Sequence, residues 1–269
     1  MKHIHDMKIE VRSYWSEHPC ETDITSSPKF SREYFDEIEE YRYRVNPEIF
    51  TFAQFTRYRD RKVLEVGVGA GTDFIQWVRA GAKAYGIDLT EEAIEHVKKR
   101  LAVYGLSAEE CKVADAEHIP FPDNMFDLVY SWGVIHHTPD LFRALGEMIR
   151  VARAGGSIKI MIYNRRSLGA FYRYLKYGLF RGRPFRKISD ILWNDIESIG
   201  TKALTRTELK SILSGYPVEI KTVCSRVTNS DLLWNRPLIL RMCAYVLACL
   251  LGFNRCGWFM TVELEKNSR

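Results

Sequence analysis

The stretch Lys62-Val63-Leu64-Glu65-Val66-Gly67-Val68-Gly69-Ala70-Gly71-Thr72 constrains the fold of this chain more than any other. An apolar run ends in glycines at alternate positions and passes at once into Asp73-Phe74-Ile75-Gln76-Trp77-Val78, which reads as a buried strand, a tight turn and a helix. In an open parallel sheet that turn faces the crevice beyond the carboxyl ends of the strands. Glycine lets the backbone take otherwise strained angles there, and the first amides of the helix suit a carboxylate or a phosphate. The alternation continues downstream. Strand 82–87, helix 91–103, strands at 111–113 and 126–131, helix 141–151 and strand 157–163 follow in order, and after a long insertion helix 207–213, strand 218–224 and a last strand 258–265. Strands alternating with helices of this length predict an α/β fold built on a mainly parallel sheet covered on both faces.

Asp88 ends the second strand about twenty residues after the first glycine, where a carboxylate accepts hydrogen bonds from ribose hydroxyls. That pairing fits any adenosine-bearing cofactor. Two details separate the cofactors: Thr72 stands where the dinucleotide fingerprint has its third glycine, and Glu65 precedes the first glycine by two positions. An acid there opposes a pyrophosphate and suits a cationic cofactor, which favours a sulfonium compound over a nicotinamide dinucleotide.

With those residues in place, the segment from Lys62 to Tyr163 resembles the type 11 group of class I S-adenosylmethionine-dependent methyltransferases. The glycine stretch is similar to the family's first motif, Gly86-Ile87-Asp88-Leu89-Thr90 to its second, Val113-Ala114-Asp115-Ala116-Glu117 to its third, and Phe126 to Asp140 to its fourth strand and loop. Ala154 replaces the proline of the family's turn before strand five. The resemblance implies a Rossmann-like seven-stranded sheet with an N-terminal helical lid and a cap insertion after strand five. It implies S-adenosyl-L-methionine as cofactor, held by Glu65, Gly67, Val68, Gly69, Gly71, Thr72, Asp73, Asp88, Leu89, Asp115, Ala116, Ser131 and Trp132. His136 and His137, just after strand four, are the candidates for a general base, and neighbours in a helix point about 100° apart, so one can face the site while the other packs. Tyr34, Arg42, Tyr43, Trp132, Tyr163 and Arg165 are candidates for the acceptor side.

The 1–57 region reads as an irregular polar leader to about residue 27 and then a helical lid, with Tyr34, Phe35, Ile38 and Tyr41 at helical spacing; 58–269 is the main domain, with a cap insertion at 164–205 and an apolar helical insertion at 231–253. Between Asn164 and Lys187 stand eight arginines and lysines, six interleaved aromatics and no acid. Such a stretch suits an anionic membrane surface, an anionic acceptor or nucleic acid, or is a cap helix with solvated charges. The apolar 237–253 segment is short for a span, which needs about 20 predominantly apolar residues. It is read as lying on a membrane, packing as a buried helix or forming a dimer contact, and monomer and homodimer both stay open. The expected reaction is methyl transfer to a small-molecule acceptor, amphiphilic or membrane-proximal, with membrane contact through 165–187 and 237–253. A nucleic-acid methyltransferase is the weaker alternative, because Ser131-Trp132-Gly133-Val134 stands where an Asn/Asp-Pro-Pro-aromatic loop would be; a non-catalytic cofactor-binding protein is another. The net charge of +5 arises from 39 bases among 34 acids, so clustering matters more than the total. Six cysteines without a C-x-x-C pair read as reduced thiols, the N-terminus lacks a signal-peptide core, and no metal site is read, which together predict a cytoplasmic protein, peripheral on the inner membrane face if it meets a membrane at all.

Overall fold

The computed structural model describes residues 4–19, 21–233 and 235–267. In chain order the elements are α1 (Ile4–Glu17), α2 (Arg32–Val45), α3 (Glu48–Ala53), β1 (Lys62–Val66), α4 (Phe74–Arg79), β2 (Lys83–Asp88), α5 (Glu91–Tyr104), β3 (Glu110–Val113) and β4 (Phe126–Trp132). They continue as α6 (Leu141–Val151), β5 (Ala152–Asn164), α7 (Leu168–Tyr177), α8 (Ile188–Asp195), β6 (Ala203–Leu204), α9 (Arg206–Leu213), β7 (Val218–Cys224), α10 (Leu238–Leu251) and β8 (Phe259–Lys266). The sheet runs β3-β2-β1-β4-β5-β8-β7, the expected seven strands, with the short β6 added alongside β5. Among the described strands β8 alone runs against the rest, antiparallel to β5 on one side and β7 on the other.

The central strands β1 and β4 are buried almost along their length because both faces are covered, whereas the edge strands β3 and β7 carry charged and half-exposed residues. Val63 and Leu64, adjacent in β1, belong to opposite sides: Val63 packs with Phe74, Trp77 and Val97 of α4 and α5, and Leu64 with Leu145, Met148 and Ile149 of α6. Side chains that satisfy free amides mark the helix starts. Thr90 accepts from Ala93 N, Asp140 from Arg143 N, Ser31 from Tyr34 N, and Thr205 with Glu208 forms a reciprocal capping box.

The N-terminal region departs from the sequence reading. Residues 4–17, read as part of an irregular leader, form α1. Its contacts are mostly polar and long-range: Lys8 meets Asp115 and Glu117, Ser16 donates to Glu92 at 2.8 Å, and only Val11 is buried among the helix's described side chains. A helix held this way leaves no apolar stripe in its sequence. β5 also begins earlier than expected, at Ala152, because it first pairs with Phe126 and resumes at Leu128 after an irregularity in register. The 164–205 stretch holds α7, α8 and β6, and 231–253 holds α10.

Arg100 on α5 joins three parts of the fold around the glycine turn. Its fully buried guanidinium donates to Thr72 Oγ1 at 2.7 Å, to Ala70 O at 3.2 Å, to Phe35 O at 2.9 Å and to Glu39 at 3.2 Å. Truncation would strip hydrogen bonds from buried acceptors and leave Glu39 without this cation. Arg100→Ala is expected to destabilise the fold by about 3 kcal/mol, seen as a lower urea midpoint at unchanged slope; a loss below about 1 kcal/mol would show that these bonds are replaced by water.

Candidate functional site

The carboxyl ends of β1, β2 and β4 open onto one cavity. Gly67 at its floor has φ +82°, and a Cβ there would lie 2.2 Å from the Val134 side chain, so the loop after β4 crosses the turn too closely for any other residue. Asp88 fastens the turn. One carboxylate oxygen accepts from Gly69 N at 3.0 Å, and the other accepts from Thr90 N and Thr90 Oγ1, each at 3.0 Å. Burial pushes the Asp88 carboxyl up, and these donors oppose the shift. Three bonds leave this carboxylate with acceptor capacity to spare.

Two further acids line the cavity beside the turn. Asp73 is fully engaged: Arg42 reaches both of its oxygens at 2.8 and 2.6 Å, and the hydroxyls of Tyr43 and Tyr130 donate at 3.1 Å each. Glu65 is buried and receives one side-chain hydrogen bond, from Trp77 Nε1 at 2.8 Å. Burial first, and the charge of Asp73 second, hold its carboxyl well above the usual carboxylate range. A buried acid in that state gains from a cation placed in the cavity, so the residues present fit a positively charged cofactor.

α1 lies over the opposite wall, bringing Lys8, Val11 and Trp15 into the lining. Lys8 Nζ sits 2.5 Å from Asp115 and 2.7 Å from Glu117, so Asp115, expected among the residues that hold the cofactor, is already paired from above. The other oxygen of Asp115 accepts from Glu117 N at 2.9 Å.

The two histidines lie on a short 3-10 turn, Ile135–His137, whose neighbours point about 120° apart, and they part accordingly. His137 lines the cavity, with Trp15 edge-on at 5.1 Å between ring centroids. Its Nδ1 lies 3.0 Å from Thr201 Oγ1 and 3.1 Å from Ser198 Oγ. Thr201 in turn donates to Ser198 O at 2.7 Å, so one loop holds the His137 ring from its Nδ1 side. Nε2 lies 3.2 Å from Glu197, whose carboxylate also accepts from Tyr163 Oη at 3.0 and 3.1 Å. Burial tends to raise the Glu197 carboxyl, but His137 and Tyr163 outweigh it and hold it below its ordinary value. His136 is buried outside the lining, with neither ring nitrogen hydrogen-bonded and its ring 4.0 Å from that of Tyr163. Of the two candidate bases, His137 borders the cavity and His136 does not.

Gly67, Val68, Gly69, Thr72, Asp73, Leu89, Ala116, Trp132 and Arg42 also border the cavity. Others proposed for the site lie outside its lining. Gly71 packs on Val97 with φ +74°, and Ser131 is buried and donates to Val66 O. Tyr34 bonds His96 within a small core cluster, Tyr43 donates to Thr72 O and Asp73, and Arg165 pairs with Glu208. Tyr163 supports Glu197 from beneath. Lys8, Trp15 and Glu197 were not signalled by the sequence. Glu197 is placed by a left-handed backbone (φ +52°) far along the chain, which no local pattern announces.

Residues 64–160 match the family described as "Methyltransferase domain". The chain is 28% identical to ajmaline N-methyltransferase of Rauvolfia serpentina over 193 residues, covering 70% of this chain and 63% of that one. It is 33% identical to a phosphatidylethanolamine N-methyltransferase of Cereibacter sphaeroides over 112 residues, 41% of this chain and 55% of that one. It therefore spans less than two thirds of either relative. Among solved structures, geranyl diphosphate C-methyltransferase of Streptomyces coelicolor shares the fold with a TM-score of 0.64 at 13% identity, covering 98% of each chain.

The state of His136 has a consequence for stability. Burial, with His137 and Lys202 nearby, holds its pKa well below the ordinary 6.5, so below that pH the unfolded chain takes up a proton that the folded chain refuses. Stability is expected to fall with pH below about 6.5, by up to ~1.4 kcal/mol per pH unit for this group. His136→Phe should flatten the slope of unfolding midpoint against pH without abolishing it, because His96 is also lowered by burial. An unchanged slope would locate the acid sensitivity elsewhere.

Proposed function

We propose that this chain, which belongs to the class I S-adenosylmethionine-dependent methyltransferases of type 11, transfers the methyl group of that cofactor to a small amphiphilic acceptor. One observation carries the reading: a buried acid short of positive charge, Glu65, stands beside a turn fastened by Asp88 in a single cavity that also reaches His137 and Trp132. Glu65 would hold the cationic amino group, Asp88 the ribose hydroxyls, and the glycine turn would lie against the chain between them. When bound, S-adenosylmethionine supplies an electrophilic methyl carbon on a sulfonium that leaves as a neutral thioether.

The protein's part is alignment and exclusion of water. Fixing donor and acceptor in line supplies up to about 7 to 11 kcal/mol in well-aligned intramolecular systems. α1 covers the cavity with Val11 and Trp15, and Trp15 with Trp132 offers aromatic faces to an apolar acceptor body. For a hydroxyl acceptor, His137 with Glu197 behind it would hold the released proton. Relatives named for ajmaline and phosphatidylethanolamine methylation support an acceptor with an apolar body. The short stretches of α7 and α10 beside the same edge of the sheet support meeting it at a membrane surface.

Calorimetric titration with S-adenosylhomocysteine tests the cofactor site. Asp88→Ala is expected to weaken binding by about 10-fold or more, the worth of hydrogen bonds to a charged group; equal affinity would overturn the assignment. Incubation with labelled methyl donor across metabolites and lipid extract, with products identified by mass, tests turnover; cofactor binding with no methylated product would favour a binding protein. With an acceptor in hand, Glu197→Gln should lower kcat by about 10²-fold for a hydroxyl acceptor while leaving S-adenosylhomocysteine affinity intact. Unchanged kcat would reduce Glu197 to a clamp on its own loop.

A further inference from the structure

α10 is a helix with scarcely any protein around it. Of its residues only Ala244 and Ala248 are buried, and Ala248 packs in a small cluster with Leu168 and Cys256. At 100° per residue the opposite face is formed by Ile239, Met242, Val246 and Leu250, exposed by 71, 59, 55 and 77%. That face carries no charge; Arg241, the one charged residue of the helix, is exposed on its flank, about 100° round from Met242. Folded monomers rarely leave so continuous an apolar surface to water. The helix is not a span: its 14 residues make a rod of about 21 Å, and among the described residues no helix is long and apolar enough to cross a membrane.

The surroundings are basic. α7 packs beside α10, with Arg236 reaching Tyr172 at 3.5 Å. Residues 164–187 and 232–262 contain no aspartate or glutamate. Lys176, Arg181, Arg183, Lys187, Arg236 and Arg255 are all exposed, and so are Phe180 and Phe185 between them, by 78 and 97%. Asp195 of α8 pairs with Arg181 and Arg186 but leaves the other bases in excess, and a second copy of this chain would bring the same excess of positive charge to the contact. An anionic bilayer offers what both features need, a hydrocarbon boundary for the helix face and phosphates for its rim.

We infer that α10 and the adjoining α7 segment form a surface that seats this protein on an anionic lipid membrane, with α10 lying in the interface plane. The position suits the site. Tyr163, at the end of β5, pairs with Phe259, at the start of β8, so α7 leaving β5 and α10 entering β8 both stand at the carboxyl end of the parallel strands, the end that carries the cavity. Drawing an amphiphilic acceptor from the membrane rests on the methyltransferase reading; the seating itself does not.

Flotation of the full chain with vesicles tests it, without methyl donor. Binding is expected to vesicles of phosphatidylcholine and phosphatidylglycerol in equal parts, weaker by far to phosphatidylcholine alone, and reduced by salt. The double substitution Val246→Asp with Leu250→Asp should abolish it. Arg183→Ala and Lys187→Ala should each weaken it about 5-fold, the effect of one base near an anionic surface. Each variant should keep its S-adenosylhomocysteine affinity, which shows that it is folded. No flotation of the wild type, or flotation unaffected by the α10 substitutions, overturns the inference. So does a dimer in light scattering that the α10 substitutions split, with no vesicle binding. Vesicle binding in a chain that fails to bind S-adenosylhomocysteine would overturn the cofactor reading and leave this one standing.

Discussion

The architecture of the site depends on a carboxylate almost sealed from water, Asp73. It stands at the start of α4, yet its partners come from α2 and β4: a two-pronged arginine, Arg42, and the hydroxyls of Tyr43 and Tyr130. Taking an acid and a guanidinium out of water costs several kcal/mol each, recovered only when the geometry is good and the remaining lone pairs are filled. Asp73 meets both conditions, so it fixes where α2 lies against the sheet and how the glycine turn leaves β1. Arg42, in turn, also meets Glu21, which extends the tie toward the segment before α2. Of these, Asp73 was expected to touch the cofactor, and Arg42 and Tyr43 the acceptor. Their main work is mutual, and the cavity takes its shape from them.

Glu65 shows the opposite condition. Close to Asp73 but with one indole donor, it is an acid without a cation of its own. The contrast between a satisfied carboxylate and an unsatisfied one, both lining one cavity, is what gives the site its electrostatic preference. A dinucleotide's pyrophosphate would meet Glu65, Asp73 and Asp88 while the lining cations Arg42 and Lys8 are already paired, with Asp73 and with Asp115 and Glu117; a sulfonium with an amino group meets the acids as counter-charge.

Sequence conveys what is local. The glycine turn, Asp88 at the end of β2 and the apolar strands are legible because each follows from neighbours a few residues away, and the sheet follows from their alternation. The pair His136-His137 is legible as a pair, but which ring faces the cavity depends on the loop 196–201, brought from far downstream to hold His137. α1 escapes the reading for a related reason. Its attachment is a lysine between two acids more than a hundred residues away, and an ion pair of that kind imposes no periodicity on the helix that bears it.

The distribution of charge then gives the molecule two unlike sides near one edge. Acids gather at the turn and beneath α1, while α7 and the segment through α10 hold bases without a single acid. The antiparallel β8 makes this possible. Had the last strand run parallel to β5, the chain would have entered it from the amino ends of the other strands, and the segment preceding it would lie at the far end of the molecule. Because β8 runs the other way, its approach helix lands where β5 exits, and the apolar surface of α10 comes to the same end of the sheet as the cavity. One reversal of strand direction thus sets binding site and exposed helix side by side.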